Sequence, residues 1–407
     1  MFAGNVRMVS VRFSRFAAAA AVMVLAAGCG GAERKTDQAA VGAPVGHTGH
    51  ASGAPESAPL RSGERFVDLA MPNPYTPVPP NGGTDVYRCF LLDPALTSKA
   101  FLTGSQFLPQ NAQVLHHAIF FRVPPDDLAD ARRLDAESPG DGWTCFGGTG
   151  IGSKGSAASQ LRGGLGWVGA WAPGGREGLA ADGTGYEMPA GSQIVLQVHY
   201  NLLATGGKAA GADRSGIKLR LVDGSAKLAP LQTGLYPAPV ELPCATGESG
   251  ALCDRASSIL DVRARFGTNA GARVEGLNWL CNGAKPPVAG PTQRCDRTIR
   301  EAGTIYSVAG HMHLLGRSIK VELNPGTATA QTLLDVPVYN FDDQGARRLP
   351  TPVWVKPNDV IRVTCTHDAT LRAKLPALRT LQPRYVVWGE GTSDEMCLAI
   401  TVWTRSS

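Results

Sequence analysis

The stretch VLHHAIFF, Val114 to Phe121, is built of apolar, β-branched and aromatic residues and reads as a β-strand. Successive side chains on a strand point to opposite faces, so only one of the adjacent imidazoles, His116 and His117, can face the core of an undistorted strand. One exposed and one hydrogen-bonded histidine is the plain reading of such a pair. A metal site at a strand end or bulge is the other. The remaining chain has to separate them.

The chain has 407 residues, 43% of them hydrophobic and 18% charged, with 49 Gly and 29 Pro. That is enough apolar material for a substantial core and suggests about two domains. Abundant glycine and proline with modest charge favour many short strands and turns over long helices. The net charge of +5 includes Arg7, Arg12 and Arg15, which lie in a leader without acidic residues; removing these three leaves +2. Such a weak field argues against a nucleic-acid partner.

Residues 1–29 read as an export signal. The basic VRMVSVRFSR precedes the apolar FAAAAAVMVLAAG and then Cys29. Small residues before a cysteine resemble the bacterial lipoprotein box, in which Cys29 is lipidated, although Ala26 stands where leucine is usual; an ordinary cleaved signal is the alternative. Either places the chain outside the cytoplasm, in the periplasm or on the cell surface, touching a membrane only through an N-terminal lipid anchor. The apolar run is too short for a spanning helix. Eight of the nine cysteines remain after Cys29, and an even number in an exported chain reads as a disulfide framework whose pairing the order does not reveal.

Residues 30–63 are rich in Ala, Gly, Pro and Ser without apolar periodicity, which predicts a disordered linker; His47 and His50 fall in it. Strand-like runs follow, among them DVYRCFLL, SQIVLQVHYNLL and GIKLRLV, then a polar crossing near 223–239. A second series includes TIYSVAGHMHLL, RSIKVEL, DVIRVTCTH and CLAITVWT. No sustained helical periodicity stands out. The expected fold is all-β: two tandem antiparallel β-sandwich domains, jelly-roll-like, at 64–228 and 229–407 with a cleft between them.

Only eight histidines occur, and five fall in three strand-like contexts: His116 with His117, His199 in LQVHYN, and His311 with His313 in AGHMHLLG. The i, i+2 spacing of the last pair projects both imidazoles from one strand face, a two-point metal clamp. Imidazoles suit copper, zinc, iron or nickel, and the soft thioether of Met396, in GEGTSDEMCLAI, narrows the choice towards copper. Core packing is the ordinary role of such a methionine. Met312, between the two histidines, points to the opposite face and is the poorer candidate.

These motifs, in this order, resemble the copper type II, ascorbate-dependent monooxygenases, the family of the peptidylglycine α-hydroxylating and dopamine β-monooxygenases. The resemblance runs from Met71 to Thr404 through MPNPYTP, DVYRCF, the His-His pair, LQVHY, HMHLLG and GTSDEMC. It implies two copper ions per chain. His116, His117 and His199 would hold the electron-storing ion, with Gln197 as a supporting residue behind it. His311, His313 and Met396 would hold the ion at which dioxygen reacts and would be the catalytic set. It further implies a Cys365–Cys397 disulfide and ascorbate, or a similar one-electron donor, as cosubstrate with O2. Arg214 stands where the family usually has a cysteine, so the resemblance leaves the partner of Cys89 open, Cys145 being one candidate, and Cys244–Cys253 and Cys281–Cys295 are guesses at local pairs.

The family's peptide-amidating members anchor a carboxylate with an arginine two residues before the first histidine of the pair, where this chain has Ala309. Leu398 and Ile400 stand where an asparagine and a tyrosine assist. Losing that charge-assisted contact argues against a peptide-glycine substrate and for a small neutral or hydrophobic one. The expected function is therefore an exported copper-dependent monooxygenase hydroxylating an activated C–H bond. The alternatives are a non-catalytic copper-binding surface lipoprotein for capture or delivery, and an adhesion or scaffold sandwich in which the histidines do not converge.

Overall fold

The computed structural model describes residues 55–79, 83–152 and 166–406; the export signal with Cys29, and His47 and His50, lie outside the described residues. Strand alternation is clearest in Val360–His367, where Ile361, Val363, Cys365 and His367 are buried and the residues between them are not. A period of two in burial marks a strand with one face on a core. Gln193–Asn201 is instead buried on both faces almost throughout, as befits a strand paired on either side by Asp85–Leu92 and Leu115–Val123.

The strands form antiparallel sheets stacked in sandwich fashion. In the N-terminal half, Arg65–Ala70, Gly216–Asp223, Ala100–Leu108 and Thr184–Met188 make one layer. Trp143–Thr144, Asp85–Leu92, Gln193–Asn201, Leu115–Val123 and Trp167–Trp171 make the other. Phe90, Phe107, Phe120, Leu196 and Leu219 are among the side chains that fill the space between them. In the C-terminal half, Ala229–Pro237, Leu398–Arg405, Gly303–His311 and Arg347–Val355 face Thr292–Thr298, Val360–His367, Gly316–Leu323 and Gln331–Val336. Val308, Met312, Ile319, Val363 and Ala399 belong to this second core.

Three features depart from the sequence reading. The crossing near 223–239 is largely a strand: Ala229–Pro237 pairs in parallel with Thr184 and Gly185 and antiparallel with Leu398–Arg405, so one sheet runs from half to half. The end of the expected linker is docked, because the buried Arg220 guanidinium donates to the carbonyls of Ala58 and Pro59 as well as to Glu64 and Glu177. Two helices, Arg255–Phe266 and Thr268–Asn282, were not anticipated. The first is capped by Asp254, whose carboxylate accepts from the Ser257 amide, and Val262, Phe266, Ala270 and Val274 line its core stripe and that of its neighbour. Disulfides join Cys89–Cys145, Cys244–Cys253, Cys281–Cys295 and Cys365–Cys397; the middle two flank the helices.

Candidate metal centre

The puzzle of the adjacent imidazoles has a structural answer. Leu115 pairs with Tyr200 and His117 with His199, so His116 is the extra residue of a β-bulge. A bulge places two residues opposite one and re-aims the side chain it displaces. His116 Nδ1 consequently lies 3.0 Å from His117 Nδ1 and 2.9 Å from His199 Nδ1. Around a single ion with ligands at about 2.0 Å, neighbouring nitrogens fall about 2.8–3.3 Å apart, so this spacing matches a ligand set. Asp85 accepts from His199 Nε2–H at 2.9 Å, which leaves Nδ1 free to face the other two rings.

His311 and His313 are oriented from behind in the same way. Gln344 Oε1 lies 2.6 Å from His311 Nδ1, and the Asp394 carbonyl 3.2 Å from His313 Nδ1. Both Nε2 atoms are thereby left as the available donors, and that of His313 is buried without a hydrogen-bond partner. An orphaned, pre-aimed imidazole nitrogen is costly unless something occupies it. The residues present fit a metal ion.

The two sets adjoin rather than facing one another across an open cleft. The rings of His116 and His313 are 6.4 Å apart, and those of His117 and His311 are 5.9 Å apart, centre to centre. Hydrogen bonds between the halves explain this closeness. Asp85 Oδ1 accepts from the Thr392 hydroxyl at 2.8 Å, Asn201 donates to Thr392 Oγ1 at 2.6 Å, and the Tyr87 hydroxyl donates to the Glu390 carbonyl at 2.8 Å. Tyr87 also stacks on His199, with centroids 4.0 Å apart and planes 13° apart, and Phe341 covers His116.

Charge states agree with ligation. Burial drives the His116 and His117 imidazoles well below their ordinary value, and neighbouring His199 adds to this. Burial also lowers His199 despite the pull of Asp85, and pushes His311 down to about 3, helped by His313. These rings are neutral at pH 7, the form in which a lone pair is available. Burial alone would raise the Asp85 carboxyl, but hydrogen bonds from His199, Thr392 and Asn201 hold it far below the usual carboxylate range.

Met396 is buried and immediately precedes Cys397, which the disulfide to Cys365 fixes; two residues on, Leu398 pairs with His311. Met312 lies in the core against Gly316. Gln197 does not support the first set: its amide donates to the Cys145 and Gly148 carbonyls at 2.9 and 3.1 Å, and Asp85 takes the supporting place. Sequence reasoning also missed Gln344, Tyr87, Glu395 and His367. His367 is fully buried, with Nε2 3.5 Å from Glu395 Oε2. Its place in the alternation after Ile361, Val363 and Cys365 was the available signal.

Residues 289–405 match the family model for the copper type II ascorbate-dependent monooxygenase, C-terminal domain. No curated protein matches the sequence. Among solved structures, the chain is similar to coconut allergen cocosin at 10% identity, covering 84% of this chain and 86% of that one with a TM-score of 0.15. It is similar to pumpkin seed globulin at 11% identity, covering 83% and 86%, with a TM-score of 0.15. A mutant oxalate decarboxylase of Bacillus subtilis follows at 7% identity, covering 86% and 78%, with a TM-score of 0.15. Likenesses this slight carry no argument.

Proposed function

We propose, on the premise that residues 289–405 are a copper type II ascorbate-dependent monooxygenase C-terminal domain, that the chain is an exported copper-dependent monooxygenase. It would hydroxylate an activated C–H bond of a small neutral or hydrophobic molecule, using O2 and a one-electron donor such as ascorbate. The observation that carries this reading is the convergence of three Nδ1 atoms at the bulge beside a second, pre-aimed imidazole pair.

When bound at His116, His117 and His199, and at His311, His313 and Met396, copper supplies one-electron redox chemistry and the activation of dioxygen. The chain's own groups prepare that chemistry. Asp85, Gln344 and the Asp394 carbonyl each hold one ring nitrogen so that the other faces the ion. Tyr87 and Phe341 pack against the rings and limit water there. His311 pairs across the sheet with Leu398, and Ala309 with Ile400, so an uncharged apolar wall adjoins the second set. Four disulfides fit an oxidising compartment, which supports export, while the lipid anchor at Cys29 is proposed from the leader sequence alone.

The test is the origin of the product oxygen. Copper-loaded protein given ascorbate, isotopically heavy dioxygen and a panel of neutral apolar compounds should form an alcohol carrying one heavy oxygen atom. Label arriving from water instead would remove the monooxygenase reading.

A further inference from the structure

We infer that Glu395 is a positioning residue that locks together the two chain segments carrying the second ligand set; this rests on the copper reading proposed above. The sheet leaves both segments with unpaired backbone donors. The strand Gly303–His311 ends at the first histidine, and His313 and Leu315 lie in the turn that follows. On the facing segment, pairing along Leu398–Arg405 begins two residues after Met396. Buried amides in these places need acceptors.

One side chain provides them. Glu395 is fully buried, and its Oε2 accepts from the His313 amide at 2.9 Å and the Met396 amide at 3.2 Å. Its Oε1 accepts from the Leu315 amide at 2.5 Å. A carboxylate carries enough lone pairs for three such donors, and charge-assisted bonds of this kind are short and strong. His367 closes the pocket behind it: its Nε2 lies 3.5 Å from Glu395 Oε2 and 3.4 Å from the Met396 carbonyl. Glu395 therefore touches the backbone of His313 and of Met396 at once, and it fixes the distance between a nitrogen donor and a sulfur donor without being either.

An amide at this position keeps the shape but turns one acceptor into a donor against a backbone N–H. In Glu395→Gln, Cu(I) affinity at the second set should fall about 10- to 100-fold, the usual effect of losing a group that holds a ligand. The first set should keep its wild-type affinity. X-ray absorption of the Cu(I)-loaded full chain should lose its sulfur scatterer in the variant while retaining the nitrogen shell. Wild-type affinity with the sulfur retained would overturn the proposal, as would equal loss at both sets, which marks a general folding role. A second readout needs neither variant nor copper: in the copper-free wild type, the His313 and Leu315 amides should resist hydrogen exchange like those of core strands. Fast exchange there overturns the assignment. Wild-type protein that binds no second copper while those amides stay protected would instead defeat the copper reading and leave the clamp standing.

Discussion

If Met396 is the proposed sulfur ligand, replacing it with leucine should leave the chain folded with its first copper bound and lower ascorbate-driven oxygen consumption by more than about 100-fold. Leucine and methionine have similar volumes, and such core exchanges cost less than about 1.5 kcal/mol. The disulfide at Cys397 and the strand beginning at Leu398 hold the backbone of this buried position independently of its side chain. What leucine lacks is the thioether, a soft donor suited to Cu(I). Removing a ligand is more damaging than removing the group behind one, which typically costs about 10- to 100-fold. Unchanged oxygen uptake by a correctly folded variant would strike Met396 from the mechanism.

The copper-free protein is expected to be sensitive to mild acid. His116, His117, His199 and His311 all have pKa values lowered by burial, the last to about 3. A depressed folded value means that the unfolded chain binds these protons first. Stability is therefore fully present above the unfolded value near 6.5 and is lost as pH falls from there towards the folded values. Below the unfolded value each group that stays neutral in the folded chain costs about 1.4 kcal/mol per pH unit, so lowering the pH from 7.5 to 5.5 removes several kcal/mol from the copper-free chain. That is comparable to the whole stability of many domains. Urea midpoints at the two pH values measure it. Copper keeps its ligands deprotonated, so the loaded protein should hold its midpoint until the metal is displaced. A copper-free midpoint that does not move would show that these rings are not buried together.

Much of this site is written in local sequence. The HxH motif is visible at once, but the strand ends at His311 and His313 lies in the turn beyond it, so the expected common strand face does not account for how the pair is held. Strand periodicity does give the inward direction of His367, which closes the burial alternation of Val360–His367. The helical spacings Val262–Phe266 and Ala270–Val274 lie on two helices split by Gly267, each too short a repeat to stand out among the surrounding glycines. Other features are not local. The bulge at His116 exists only as a register between two strands, and Asp85 becomes a partner of His199 only through the pairing of Asp85–Leu92 with Gln193–Asn201. The adjoining of the two imidazole pairs depends on contacts such as Asp85 with Thr392, which are 307 residues apart. Nothing in the motif order announces them.

Counting copper in the reduced full-length chain, together with the atoms bonded to it, tests the account most directly. Two ions per chain are expected, with imidazole nitrogens at both and a sulfur scatterer at one. One ion or none, or two ions without sulfur, would contradict it.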